Sequence, residues 1–323
     1  MRRGFARGGL LALSVRFSLD TLLLFCYTKT DRTRKVKEMK KNKINIRDPF
    51  VLYEGGKYYM YGTRAKNFGC RVGGVDVYLS EDMENWSDPI ECFNSEEFGL
   101  NRDANWAPEV HNYKGKYYMF ITLTQGNGLR GTYSLCADSP CGPFKPNSNG
   151  ALTPHEWECL DGTLYIEDGV PYLVFCHEHT QIIDGTVCYA RLSEGLDSLV
   201  GEVVTMFSAS SVDRVCAVDG GHYVTDGPFM YRSRTDELFM IWSSFIGGRY
   251  AELAVKFKNK KLGLEFEHIA PLIDDNGGHG MIFSDDNGLY FTYHVPNTLT
   301  LERPEFYPIE DLGDSLRLIS SNP

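Results

Sequence analysis

Apolar residues in this chain fall in short runs broken by Gly, Asn and Asp, and the runs come in pairs. In IRDPFVLYEGGKYYMYGT, residues 46–63, an acidic residue precedes an apolar run, Pro49 to Tyr53. A Glu-Gly-Gly turn follows, then an aromatic run, Tyr58 to Tyr61. Two β-rich runs about a Gly-containing turn predict a hairpin. The pattern returns four times. WAPEV (106–110) leads through Lys114-Gly115 to Tyr117–Phe120, and LDGTL (160–164) through Asp168-Gly169 to Tyr172–Phe175. TDGPF (225–229) leads through Thr235-Asp236 to Phe239–Trp242, and GGHGM (277–281) through Asn287-Gly288 to Tyr290–Tyr293.

The aromatic runs begin at 58, 117, 172, 239 and 290, intervals of 59, 55, 67 and 51 residues. Spacing of that size holds one four-stranded sheet, so five repeats predict an all-β, five-bladed β-propeller. Further strands are expected at VDVYLS (75–80), TYSLCADS (132–139), GTVCYARLS (185–193) and RYAELAVKF (249–257). The segment ERPEFYPI, ending at Ile309, is expected to close the ring against the first blade, because a propeller must hide its sheet edges. If each repeat opens with its innermost strand, five strand beginnings face one axis. The residues expected there are Asp48, Glu109, Asp161, Asp226 and His279: four acids and a histidine in equivalent places.

Composition narrows the class. The 323 residues carry 13% aromatics and 32 glycines, which suits one turn-rich β domain. A net charge of -10 argues against nucleic acid as a partner, since phosphate needs a basic face. Nine cysteines without a CxxC pair read as small buried hydrophobes in a reducing compartment, not as a zinc site. Residues 1–43 read differently from the remainder. Their apolar stretch is interrupted by Arg16 and Asp20, is too short and charged to span a membrane, and is followed by a basic, hydrophilic run. The expectation is a disordered leader or a start misplaced upstream of Met39, with a propeller over 44–311 and a tail over 312–323. A cytoplasmic protein follows; were the leader a working signal, the protein would be secreted.

Gly126, Gly128 and Gly131 spell the dinucleotide fingerprint G-x-G-x-x-G, but a strand pattern follows where that fingerprint requires a helix. His177 and His179 share one side of a strand, a pair without a visible third metal ligand. Trp106 suits either sugar stacking or a blade core. Glu109 suits either sugar hydroxyls or a neighbouring Arg.

RDPF at Asp48, WAPEVH at 106–111, LDGT at Asp161, the Gly-Pro motif at Asp226 and GGHG at His279 resemble, in order, the motifs of glycoside hydrolase family 43. The YLSEDMENW and DSPCGPF segments resemble it too, and the likeness runs from about Ile44 to Glu310. It implies a propeller that releases arabinose or xylose from plant polysaccharides, arabinan or xylan, by inversion. It further implies Asp48 as general base, Asp161 as the carboxylate that orients and tunes the acid, and the fourth-motif acid as proton donor. His279 would sit near the axis, where relatives hold calcium; no cofactor is otherwise required, and the partner is an oligosaccharide, with no nucleic acid or membrane. One position departs. The family carries Glu before Gly-Pro, and this chain carries Asp226, one methylene shorter. That leaves a catalytically silent carbohydrate-binding propeller as the rival reading. It also makes Glu178 a competing proton donor, since the end of a blade's second strand returns to the face where the first strand begins. Inversion needs a base and an acid about 6.5–9.5 Å apart, with a water between.

Overall fold

The computed structural model describes residues 38–64 and 73–319; the leader up to residue 37, Cys70 and the last four residues lie outside the described residues. Five antiparallel sheets follow one another along the chain, each opening with its innermost strand: Ile46–Glu54, Trp106–Tyr113, Cys159–Glu167, Asp226–Arg232 and Gly278–Ser284. Blades two to five have four strands each and blade one has six. The five-bladed propeller is therefore present. Among the described residues no helix is long and apolar enough to cross a membrane.

The hairpin chemistry explains the inner pairs. Gly55-Gly56, Lys114-Gly115 and Asp168-Gly169 all take positive φ at both turn positions. That is the two-residue turn whose twist matches flanking strands. Successive sheets pack face to face through the aromatic runs: Val174, Phe207, Trp242 and Leu253 join blades three and four in one buried cluster. Phe120, Leu173 and Phe175 join two and three. A fully buried side chain of this size contributes about 1.5–3 kcal/mol or more by leaving water. Cys92, Cys141, Cys159, Cys176 and Cys188 are buried and free, as small core residues. Gly131 lies in the strand Arg130–Ala137, so the glycine triplet opens no helix.

Two boundaries differ from the expected ones. Within the expected leader, Met39–Lys40 pairs with Asn85–Trp86 at the outer edge of blade one, and Lys41 bonds Glu305 at 2.7 Å. Within the expected tail, Leu316–Leu318 is the outermost strand of blade five. Both are short edge strands with too few apolar residues to signal themselves. Closure of the ring against blade one falls on the expected segment and runs through side chains. Arg303–Asp311 stays in blade five, paired with Leu289–Val295. Its neighbourhood meets blade one through side chains: Arg47 and Asn45 on Glu302, and Phe306 stacked on Trp86 at 5.8 Å.

Candidate active site

Every innermost strand carries the same defect near its start. In blade one, Asp48 and Pro49 lie between the pairs Arg47–Thr63 and Phe50–Tyr61, so two residues oppose one. The same two-against-one bulge falls between Trp106 and Glu109, Leu160 and Thr163, Asp226 and Phe229, and Gly278 and Met281. The first bulge residue is left-handed in all five: Asp48 (φ 52), Ala107 (44), Asp161 (56), Gly227 (49) and His279 (52). Bulges of this kind re-aim a side chain. A non-glycine residue in that conformation costs about 1–2 kcal/mol, which the packed blades sustain.

The five equivalent positions are thus Asp48, Ala107, Asp161, Gly227 and His279. This corrects the expected ring at two places. Glu109 stands two residues on, at the bulge exit, where it bonds His111 at 3.0 Å and is absent from the cavity wall. Asp226 stands one residue earlier, level with Arg47, Trp106, Leu160 and Gly278. The bulge-exit residues plug the axis: Phe50 meets Phe229 at 6.3 Å and His111 at 5.1 Å. Blades one and four are not neighbours in the ring, so that contact crosses the centre.

Above the plug opens a cavity of about 890 Å³ lined from all five blades, with Asp48, Asp161, Asp226, Glu178, Trp106 and His279 in its wall. Asp48 is buried at its base. Its Oδ2 accepts from the Thr63 hydroxyl at 2.6 Å, and its Oδ1 lies 3.2 Å from His279 Nδ1. Its amide donates to Nδ1 of the fully buried His294 at 3.2 Å. Burial works against ionisation of Asp48, yet His279, Arg47 and the Thr63 bond together hold its carboxyl below the usual range. Asp161 accepts from the Gly227 amide at 3.1 Å and lies 3.8 Å from the same His279 nitrogen. Burial, with Asp226 and Asp48 nearby, pushes it up to about 7 against the pull of His279. His279 is raised to about 9 despite burial, because Asp48, Asp161, Asp226 and Glu252 surround it.

His279 was expected to serve a calcium ion or the sugar. Calcium takes six to eight oxygen ligands, and an imidazole offers nitrogen. One edge of the ring faces Asp48 and Asp161, and the other lies where a Cβ on Gly227 would meet Cδ2 at 2.6 Å and Nε2 at 2.9 Å. Among the described residues no group of three or more His, Cys, Asp or Glu is disposed to hold a metal. In this setting His279 is a cation between two carboxylates, in the cavity wall.

Trp106 lines the cavity with the Arg130 guanidinium 5.1 Å above its ring. Glu178 follows the strand Val170–His177 and precedes the short helix His179–Ile182. Its carboxylate is buried between Arg130 Nη1 at 3.3 Å and His179 Nε2 at 3.0 Å. His177 turns away to Gln181 and stacks on Trp157, so the two histidines form no pair.

Four residues escaped the sequence reading. Arg47 bonds Asn297 and Glu302 at 2.9 and 3.1 Å and lines the cavity. His294 is described above. Tyr250 donates to Asp226 Oδ2 at 2.9 Å. Glu252, fully buried, accepts from Ser243 Oγ at 2.7 Å and the Gly280 amide at 3.0 Å. It thereby fixes the bulge that carries His279, whose amide donates to Ser243 Oγ at 2.6 Å. A Glu inside the apolar run RYAELAVKF was the available signal, since a buried acid needs a reason.

Comparison with known proteins agrees with this construction. The family described as Glycosyl hydrolases family 43 matches residues 43–310. The crystal structure of an endo-arabinase from Bacteroides thetaiotaomicron VPI-5482 superposes with a TM-score of 0.78 at 35% identity, covering 86% of this chain and 98% of that one. An arabinoxylan arabinofuranohydrolase of Bacillus subtilis (strain 168) is 27% identical over 225 residues, 57% of this chain and 42% of that protein. The extracellular endo-α-(1→5)-L-arabinanase 1 of the same organism is 22% identical over 144 residues, 40% and 42% of the two chains. The chain spans less than half the length of the curated relatives it matches.

Proposed function

The chain belongs to glycosyl hydrolases family 43, and on that premise we propose that it hydrolyses α-L-arabinofuranosidic or β-xylosidic bonds by inversion. One observation carries the reading. One cavity lined from all five blades holds a carboxylate kept ionised, Asp48, together with carboxyls that burial pushes up: Asp161 to about 7, Glu178 to about 8, and Asp226. Carboxyls driven apart in pKa within one site are what separates a base from an acid.

In this reading Asp48 takes a proton from water as the water's oxygen bonds the anomeric carbon. A wall carboxylic acid protonates the departing glycosidic oxygen on the other face, and the C–O bond breaks. Both groups return to their starting states by proton exchange with solvent. The imidazolium of His279 keeps Asp48 aimed and charged. Asp161, held by the Gly227 amide, orients the reacting sugar and tunes the acid. Trp106 and Arg47 contribute walls for the sugar.

Release of 4-nitrophenol from its α-L-arabinofuranoside and β-xyloside, followed by arabinan and xylan oligosaccharides, tests the reading. Turnover of at least one of them is expected. Binding without turnover across the panel would establish a silent binding propeller instead.

A further inference from the structure

Two carboxyls on the cavity wall, Asp226 and Glu178, are candidates for the proton donor, and their surroundings differ. Asp226 precedes the blade-four bulge. Its Oδ2 accepts the Tyr250 hydroxyl at 2.9 Å. Tyr250 is itself buried, stacked on His294 at 5.8 Å. It fits there because blade five has Gly278 at the matching place; a Cβ on Gly278 would meet the Tyr250 ring at 2.7 Å. A phenolic hydroxyl fixed in this way donates to a carboxylate and favours its charged form, against burial, which on balance pushes the Asp226 carboxyl above its ordinary range.

Glu178 is also pushed up by burial, and its partners differ. Its cation, Arg130, is shared, and the sharing is unequal. Arg130 Nε bonds Glu158 at 2.6 Å, and Thr180, which also receives Arg130 Nη2 at 3.0 Å, donates to Glu158 at 2.9 Å. Glu178 keeps the longer contact, 3.3 Å. Its other neighbour, His179, is pushed down by burial and brings no charge at neutral pH. One cation thus serves two carboxyls, and the deeper one, 3% exposed, is left protonatable. Its side chain is also one methylene longer than that of Asp226.

We propose that Glu178 is the proton donor of this site and that Asp226, clamped by Tyr250, binds sugar hydroxyls. This rests on the hydrolase reading above. In the step, the Glu178 proton passes to the leaving glycosidic oxygen as its bond to the anomeric carbon breaks. Water supplies the new C–O bond and gives its proton to Asp48. The groups facing Glu178 are Arg130, which favours its charged form, and Glu158, Asp226 and Asp161, which oppose it, together with the neutral His179; burial and these acids push it up to about 8.

The test compares two leaving groups. An alcohol of an oligosaccharide needs protonation to depart, and 4-nitrophenolate does not. Glu178→Gln is expected to lower kcat/KM on the oligosaccharide by about 10²–10⁴-fold, the usual weight of general acid catalysis, and to cost the 4-nitrophenyl glycoside under about tenfold. It should also abolish the fall in oligosaccharide rate above pH 8. Asp226→Asn should slow both substrates alike and keep that fall. Should Glu178→Gln not fold, Glu178→Asp reports the same leaving-group dependence in weaker form. Leaving-group dependence in Asp226→Asn, or its absence from the Glu178 variants, overturns the proposal while wild-type turnover leaves the hydrolase reading standing. A wild-type protein inert on both substrates overturns that reading and this proposal with it.

Discussion

Blades one, three and five differ from blades two and four at the first residue of the bulge. All five share the bulge and its left-handed first residue, but three present Asp48, Asp161 and His279 to the axis while two present Ala107 and Gly227. The blanks are as informative as the charged groups. Gly227 cannot take a side chain because the His279 ring occupies the space, with Cδ2 2.6 Å from where a Cβ would sit. Blade four instead offers its amide to Asp161 and its preceding residue, Asp226, to the wall. The repeat supplies one backbone device five times. Chemistry arises from which copies are loaded, and from the room the unloaded copies leave.

Unloading a charged copy should have the largest effect. Asp48→Asn is expected to lower kcat by about 10³-fold or more with unchanged circular dichroism, since the variant cannot take the water's proton. A variant that keeps a tenth of wild-type activity would make Asp48 structural. Loading a blank copy comes next. Gly227→Ala drives a methyl into His279 and should cost about 10²-fold in kcat/KM, the scale of a 1 Å misplacement, while circular dichroism is retained. Unimpaired turnover would mean that the ring is not held where the structure has it.

Removing the central cation should show in stability against pH. His279 is raised to about 9 from an ordinary value near 6.5, so its contribution is full below about 6.5 and is lost as pH rises through 9. The wild-type Tm is expected to fall by a few degrees over that window, and His279→Gln should flatten the fall. An equal slope in both proteins would assign the loss to other groups. The smallest effect belongs to the other blank. Ala107→Gly relieves a left-handed alanine at φ 44 but loosens the unfolded chain. Stability should change by less than about 1 kcal/mol, with activity unaltered, and a large loss of activity would put Ala107 in the site.

The blade count was legible because aromatic runs and two-residue turns repeat in the sequence itself. The bulge was legible only in hindsight. Asp48, Ala107 and Asp161 each stand seven residues before the first turn residue, Gly55, Lys114 and Asp168, so counting back from the turn finds the position. Matching acids to acids found Glu109 and Asp226 instead, because one extra residue shifts a strand's faces without changing its composition. Ring-closing contacts such as Arg47 with Glu302, and clamps such as Tyr250 on Asp226, join residues far apart in the chain. No local pattern marks them.

The account turns on Asp48 activating a water on the face opposite the leaving group. Proton NMR of the first sugar released, recorded before mutarotation, reads this directly. Inverted anomeric configuration is predicted. A first-formed product of retained configuration would contradict the account, because it requires a carboxylate acting as nucleophile.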